Sequence, residues 1–280
     1  MNRADQWRLR VSHETRFEYG APARASYNEL RLVPRTEVRQ TALEARIVTV
    51  PPAPQYSYLD YWGTHVVAFN VDRNHDSLSI TGNALVDTHD AGDPPDCSWA
   101  DVTDAAATMA DYLSHNLYTS PGVELAELAS RLRTARPLQT ARHVVEAAHT
   151  SLRYEKGVTT VHTSANDAFA DGGGVCQDFA HLCLSLARTA GLPSRYVSGY
   201  FHPDGDAALG EEITAQSHAW VEFWTGSWWG YDPTNDCSVG PRHVAVGRGR
   251  DYADVPPVKG IYAGNAENTM RVLVRMTRTQ

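Results

Sequence analysis

The residues able to do nucleophilic chemistry sit in three short stretches. The first is Gly172-Gly173-Gly174-Val175-Cys176-Gln177-Asp178-Phe179, where a flexible run gives way to a periodic segment with a thiol on the boundary. Downstream, Phe179, Leu182, Cys183, Leu186, Ala187 and Ala190 recur at spacings of three and four, which predicts one apolar face of a helix ending near Gly191 and Pro193. Cys176 then lies in the first helical turn, where unpaired backbone N–H groups and the positive end of the helix dipole favour a thiolate over a thiol. The three glycines are expected to let another backbone approach the sulfur. The competing reading is a buried thiol on the same stripe, because free cysteine is among the most buried residue types.

The second stretch, Ser217-His218-Ala219-Trp220-Val221-Glu222-Phe223-Trp224, is β-branched and aromatic without helical spacing and reads as a strand. Period two puts His218 on one face with Trp220, Glu222 and Trp224. The third, Trp228-Trp229-Gly230-Tyr231-Asp232-Pro233-Thr234-Asn235, reads as a hairpin partner reached through Thr225-Gly226-Ser227 and stopped by proline. Asp232 falls at the strand end beside the strand that carries His218. Thiol, imidazole and carboxylate are the roles that nucleophilic cleavage of an amide needs: sulfur attacks, the ring takes and returns the proton, and the carboxylate fixes the ring's tautomer.

The elements that must position these groups come in two kinds. From Trp7 to about Asp87, period two dominates: Trp7, Leu9 and Val11; Phe17 and Tyr19; Leu30 and Leu32; Leu43, Ala45 and Ile47; Val67, Phe69 and Val71; Leu78 and Ile80. Gly20-Ala21-Pro22, Pro51-Pro52-Ala53-Pro54 and Gly82-Asn83 punctuate the runs, a spacing expected of an all-β sandwich. Its histidines, His13, His65, His75 and His89, are scattered over different runs and suggest no metal site. Ala91-Gly92-Asp93-Pro94-Pro95-Asp96 breaks the pattern, and the domain boundary is expected there. Beyond it the period becomes helical. Ala105 to Leu113 reads as an alanine-rich helix; Leu125, Leu128, Ala129 and Leu132 form one stripe, and Ala141, Val144, Val145, Ala148 and Leu152 another.

Between Tyr154 and Gly172 a polar, threonine-rich segment with a short helix near Asn166 to Ala170 is expected to line one wall of a cleft. Tyr154, His162 or Gln177 could supply an oxyanion donor beside the Cys176 N–H, with a packing tyrosine and a surface histidine as the alternatives. Asp178 either orients the loop or stabilises the helix start. Trp220 is a further cleft candidate. His202-Pro203-Asp204-Gly205-Asp206 lacks the spacing of a calcium loop and reads as a solvated rim. His181 and Cys183 lack the further ligands of a zinc site, and His181, off the apolar stripe, is expected against a neighbouring wall. Val239 to Val244 and Arg248 to Pro257 read as a wrapping loop, and Met270 to Met276 as a final strand closing the sheet.

Twenty-five basic against 33 acidic residues leave a net charge of −8 in 280 residues, which argues against an extended phosphate-binding surface, so no nucleic acid partner is expected. Met1 to Ser12 has no apolar h-region and no run approaches a membrane span, so a cytoplasmic chain with no membrane partner is the expectation. Four cysteines do not make a disulfide framework. Cys176 and Cys183 would stand roughly 10 Å apart along a helix, too far to bridge. Cys97 and Cys237 are expected reduced.

These motifs together resemble the transglutaminase-like superfamily, whose fold is related to papain-type cysteine proteases. A helix-start cysteine after glycines, the Ser-His-Ala-Trp strand and the Trp-x-x-x-Asp-Pro-Thr-Asn strand occur in the order Cys, His, Asp. Arg153-Tyr154, Thr159-Thr160-Val161, Thr163-Ser164-Ala165, Arg195 to Tyr200 and Gly249 to Pro257 are similar to the bacterial branch, so the resemblance covers nearly the whole chain. It implies an α+β architecture: an N-terminal β-sandwich domain over residues 1–92 and a catalytic domain over 98–280. It also implies Cys176 as nucleophile, His218 as base then acid, Asp232 as its orienting partner, a peptide or protein substrate, and no cofactor or metal. Water or an amine could resolve the thioester. Hydrolysis is favoured here, since no calcium site of the cross-linking enzymes is recognisable. The rival reading is a protein-binding module with a vestigial triad. Oligomeric state is not legible.

Overall fold

The structure, a computed structural model, describes residues 6–90, 92–264 and 267–280; Ala91 of the expected boundary and Met1 to Asp5 of the expected leaderless start lie outside the described residues. The chain begins with six strands: β1 (Gln6–Ala23), β2 (Ala25–Leu30), β3 (Gln40–Val50), β4 (Gln55–Leu59), β5 (His65–Val71) and β6 (His75–His89). A helical stretch follows: α1 (Trp99–Ala106), α2 (Val123–Leu132), α3 (Pro137–Ser151), α4 (Ala165–Asp171) and α5 (Cys176–Thr189), with two-residue strands β7 (Arg153–Tyr154) and β8 (Gly173–Gly174) on either side of α4. The rest is β9 (Ser194–Phe201), β10 (Glu212–Ala215), β11 (Ser217–Trp224), β12 (Trp228–Asp232), β13 (Cys237–Ser238), β14 (His243–Gly249), β15 (Val258–Ala263) and β16 (Asn268–Arg278). Mixed α+β architecture is therefore what the residues build.

Three main sheets result, with strand orders β10-β16-β1-β6-β3, β15-β2-β5-β4 and β13-β12-β11-β9-β14. One face of β1 explains how they meet. Phe17 and Tyr19, at its far end, join Leu30, Leu32, Val67, Phe69, Leu78 and Ile80 in a core between the first two sheets. Trp7, Leu9 and Val11, at its start, join Val86, Met276, Tyr200, Val244 and Val246 in a core between the first and third. The alternation that predicts a sandwich thus serves two interfaces from one strand face, each fully buried Leu, Val or Phe contributing about 1.5–3 kcal/mol.

Strands from the second half complete both N-terminal sheets: β16 pairs with β1, β10 with β16, and β15 with β2. The final strand therefore closes the N-terminal sheet and not the one that carries His218. Three local expectations change. The alanine-rich helix starts earlier, because the Ser98 hydroxyl accepts from the Asp101 N–H and the Asp101 carboxylate from the Ser98 N–H, and it stops at Ala106 before a 3-10 turn over Ala110–Tyr112. The expected wrapping loop is cut by strand β14, which takes residues 243–244 and 248–249 from it and pairs with β9. Residues 55–59, which none of the alternating runs includes, form β4, whose side chains are mostly exposed and so give no buried alternation.

A buried ion cluster pins the two halves. Glu222 on β11 accepts from Arg195 (2.6 Å) on β9 and Arg248 (2.8 Å) on β14, and Arg248 also reaches Glu37 (2.7 Å) from the N-terminal half. Burial alone would raise the Glu222 carboxyl, but the two arginines hold it well below the usual carboxylate range. Such a depressed acid contributes stability that is present above its unfolded value and lost as the pH falls through the folded one. Arg248→Met should lower unfolding stability in urea at neutral pH by about 3–5 kcal/mol, the cost of breaking one side of a buried pair, and the deficit should narrow only below the usual carboxylate range.

Candidate active site

The start of α5 is built by a carboxylate. Asp178, in its first turn, accepts from the Val175 N–H (2.8 Å) and from the Thr159 hydroxyl (2.7 Å), closing the helix start and tying the threonine-rich segment to it. Both readings of Asp178 have a contact behind them: the Val175 N–H at the helix start and the Thr159 hydroxyl of the loop. The glycines serve this clamp. Gly172 ends α4 at φ +64°, and a Cβ on Gly174 would stand 2.6 Å from the Asp178 side chain. They make room for Asp178, where the sequence suggested an approaching foreign backbone. Gly174 in turn pairs with Tyr154 in the parallel β7·β8 ladder, which carries Tyr154 to the neighbourhood of Cys176.

Behind this start α5 is buried on every side. The apolar stripe Phe179, Leu182, Leu186 and Ala187 packs with α2, α3 and α4 in one core, which also holds Ala219, Val221 and Phe223 of β11. The polar side is buried too. His181, expected off the stripe, lies between Tyr118 (4.9 Å) and Tyr196 (5.4 Å) and accepts the Tyr252 N–H (3.3 Å). Burial lowers its ring to about 3, so it stays neutral as a support beneath the cleft.

Strand β11 presents His218 at its beginning, opposite Gly199 of β9, and the turn after it returns the chain along β12 so that Asp232 ends beside the ring. His218 Nε2 donates to Asp232 Oδ2 at 2.6 Å, and the ring lines the same two cavities as the Cys176 side chain. With Nε2 engaged by Asp232, Nδ1 is the ring nitrogen left for proton transfer. Burial alone would lower the His218 pKa; the Asp232 carboxylate and the nearby Cys176 side chain outweigh it and raise it to about 10. Asp232 is 0 % exposed, yet it is held well below the usual carboxylate range. Against the burial cost stand His218 on Oδ2, Asn235 Nδ2 on the same oxygen (2.7 Å), and the Thr234 and Asn235 N–H groups on Oδ1 (3.0 and 3.2 Å).

Cys176 is half-buried and borders two cavities of about 400 and 440 Å³, which share Tyr154, Ala215, Gln216, Ser217 and His218. The first extends over Tyr196, Tyr252 and the β16 valines Val272 and Val274, the second over Phe201, Pro203, Thr234 and Asn235. The His202 loop thus reaches the rim through Pro203, while His202 itself is buried. Tyr154 is half exposed, and burial together with the nearby Cys176 raises its phenol. Gln177 lines the first cavity, its amide donating to the Val161 carbonyl (3.3 Å). His162 is exposed and lines neither cavity. Trp220, expected in the cleft, is 1 % exposed: it keeps the His218 face but is covered there by Val197, Val239 and Ala245 and by the His243 ring, so it lines neither cavity.

Three residues escaped the sequence reading. Asn235 was quoted only as part of a motif, and His243 only as part of a loop. Lys156 is the one lysine, arginine, aspartate or glutamate among the described residues lining either cavity, and nothing in its polar surroundings marked it. The four thiols are free. Donor atoms of Asp232, Cys237 and His243 lie within 4.8 Å of one another, the spacing of a metal cluster. The tautomer argues against that use: Gly240 N–H donates to His243 Nδ1 (3.2 Å), so Nε2 carries its proton towards Asp232 (3.3 Å) and offers no lone pair.

Comparison with known proteins gives two adjoining matches. The Transglutaminase-like superfamily profile covers residues 126–233, and the bacterial transglutaminase-like N-terminal region covers residues 9–87. An uncharacterized protein of Mycobacterium leprae is 41% identical over 278 residues, spanning 97% of this chain and 99% of the relative. The chain belongs to the transglutaminase-like superfamily. A crystal structure of a candidate cysteine protease from Cytophaga hutchinsonii shares the fold of this transglutaminase-like chain at TM-score 0.78 and 22% identity, over 99% of this chain and 92% of that one. A protein-glutamine gamma-glutamyltransferase of Pseudomonas aeruginosa is 34% identical over 85 residues, 28% of this chain and 12% of that protein. Among the described residues of this transglutaminase-like protein, no helix is long and apolar enough to cross a membrane.

A base raised as His218 is contributes stability that is complete below its unfolded value and lost as the pH rises through about 10. Asp232→Asn removes the cause while leaving the burial. The His218 ring, followed by NMR, should then titrate several units lower, below its ordinary imidazole range, and the alkaline loss of stability should move down with it.

Proposed function

We propose that the chain is a cysteine-dependent acyl-transfer enzyme acting on an amide or peptide bond. Cys176 attacks the carbonyl, His218 takes the proton and returns it to the leaving amine, and Asp232 holds the ring. The N–H groups that open α5 have no partner four residues back and can receive the developing oxyanion, with Tyr154 and Gln177 as side-chain candidates beside them. A thioester on Cys176 results. The observation that carries this reading is the 2.6 Å pairing of the His218 imidazole with a buried carboxylate, with His218 and Cys176 lining the same open cleft. A vestigial site would have no need to keep a fully buried carboxylate charged.

Hydrolysis is the favoured outcome, because cavities of about 400 and 440 Å³ on either side of the sulfur leave water free access to the thioester. Transfer to an amine is the second reading. It is favoured by the similarity to the Pseudomonas gamma-glutamyltransferase over 85 residues. The substrate class is a peptide or protein, and the four free thiols fit the reducing cytoplasm.

Iodoacetamide should modify Cys176 below about pH 8 and much faster than the other three thiols. Burial pushes Cys183 up, Cys237 up to about 11 and Cys97 up, so their thiolates are scarce. Similar slow labelling of all four would remove the proposal. Incubation with a peptide library, with and without an added primary amine, read by mass spectrometry, separates the outcomes: cleavage products mean a peptidase, adducts on glutamine a transferase, and Cys176→Ala should abolish either.

A further inference from the structure

His243 opens β14 ten residues beyond the stretch that the superfamily profile matches, and it is buried at 5 % exposure. Its Nε2 stands 3.3 Å from Asp232 Oδ2, the oxygen that also accepts from His218 at 2.6 Å. A backbone amide can only donate, so the Gly240 N–H at 3.2 Å from Nδ1 fixes the tautomer and makes Nε2–H a donor to the carboxylate. The ring is wedged by Trp220 (centroids 5.2 Å) and Phe201 (4.6 Å), and Phe201 also packs on His218 (5.3 Å). We propose that His243 is a positioning residue, a neutral second imidazole that holds Asp232 Oδ2 in line with His218 and so keeps His218 set for Cys176.

This rests on the acyl-transfer reading above. The torsion that turns a carboxylate is soft: the backbone N–H groups of Thr234 and Asn235 restrain Oδ1, and on Oδ2 the His243 ring adds a rigid donor to the flexible Asn235 side-chain amide (2.7 Å). A cation in the place of His243 would compete with His218 for the charge of Asp232; a neutral donor anchors the oxygen without that competition. The groups facing His243 agree with a neutral ring. Asp232 and His218 lie on one side, Cys237 beside them and Arg242 before it in the chain. Across a small cavity stand His89 and the cluster of Glu37, Arg39, Glu222 and Arg248, whose charges answer one another. Burial lowers the His243 ring against the pull of Asp232.

The test uses the full chain and two variants: His243→Met, which keeps bulk and removes the donor, and His243→Gln, which keeps an N–H at similar reach. Iodoacetamide labelling of Cys176 is followed against pH by mass spectrometry, the His218 ring by NMR, and thermal unfolding alongside. His243→Met should slow labelling near pH 6 by about threefold or more, move the acid limb of the profile upward and lower the His218 titration, since weaker support of Asp232 weakens the imidazolium it holds. His243→Gln should restore most of this. A Met variant with the parent's profile and His218 titration, whatever its thermal stability, overturns the inference, as does a Gln variant no better than the Met one. Should the Met variant not fold, His243→Asn, whose amide is too short to reach Oδ2, carries the same comparison. A parent whose Cys176 labels no faster than its other thiols sinks the acyl-transfer reading itself, and this inference with it.

Discussion

A charged carboxylate with no exposure is costly unless hydrogen bonds replace its water, and the Asp232 side chain is the place where this protein meets that constraint. Three segments supply the donors. His218 comes from the start of β11, Thr234 and Asn235 from the turn after β12, and His243 from the start of β14. The hairpin has to return in register and β14 has to lie beside β9 for these donors to converge. The sheet is therefore organised as much by this one anion as by its apolar packing.

The sulfur side obeys a related rule. The first turn of a helix leaves N–H groups unpaired, and here Asp178 satisfies one from below while the cleft leaves others available above. Gly172 and Gly174 exist in that sequence because the clamp needs a left-handed residue at the end of α4 and an absent Cβ beside Asp178. Tyr154 arrives by the same route, through its pairing with Gly174.

The two halves are not independent bodies joined by a linker. β10, β15 and β16 extend the N-terminal sheets, and Val272 and Val274 of β16 reach one cavity beside Cys176. The N-terminal sheet is thus part of the wall that a substrate meets. The ion cluster of Glu222, Arg195, Arg248 and Glu37 crosses the same boundary on the far side of β11. A shift of the N-terminal half would disturb both the cleft wall and the strand that carries His218.

Much of this was legible in the residues. Period two marked β1, β5 and β6; β-branched and aromatic content marked the β11–β12 hairpin, whose first strand is buried on both faces; the 3.6-residue repeats marked α2, α3 and one side of α5; and the chemistry of thiol, imidazole and carboxylate singled out Cys176, His218 and Asp232. What remained hidden lacked a local signature. The polar side of α5 looks solvated, since only contacts with Tyr118, Tyr196 and Tyr252 show that His181 is buried. β14 looked like a loop, and β4 has no buried alternation to read. His243 carries no motif, and Trp220 is buried on the His218 face because Val239 and Ala245, distant in the chain, cover it. Patterns along the chain report which side of an element is apolar and what chemistry a side chain can do. Which distant residues share one buried oxygen is a matter of three-dimensional closure, and only the folded chain decides it.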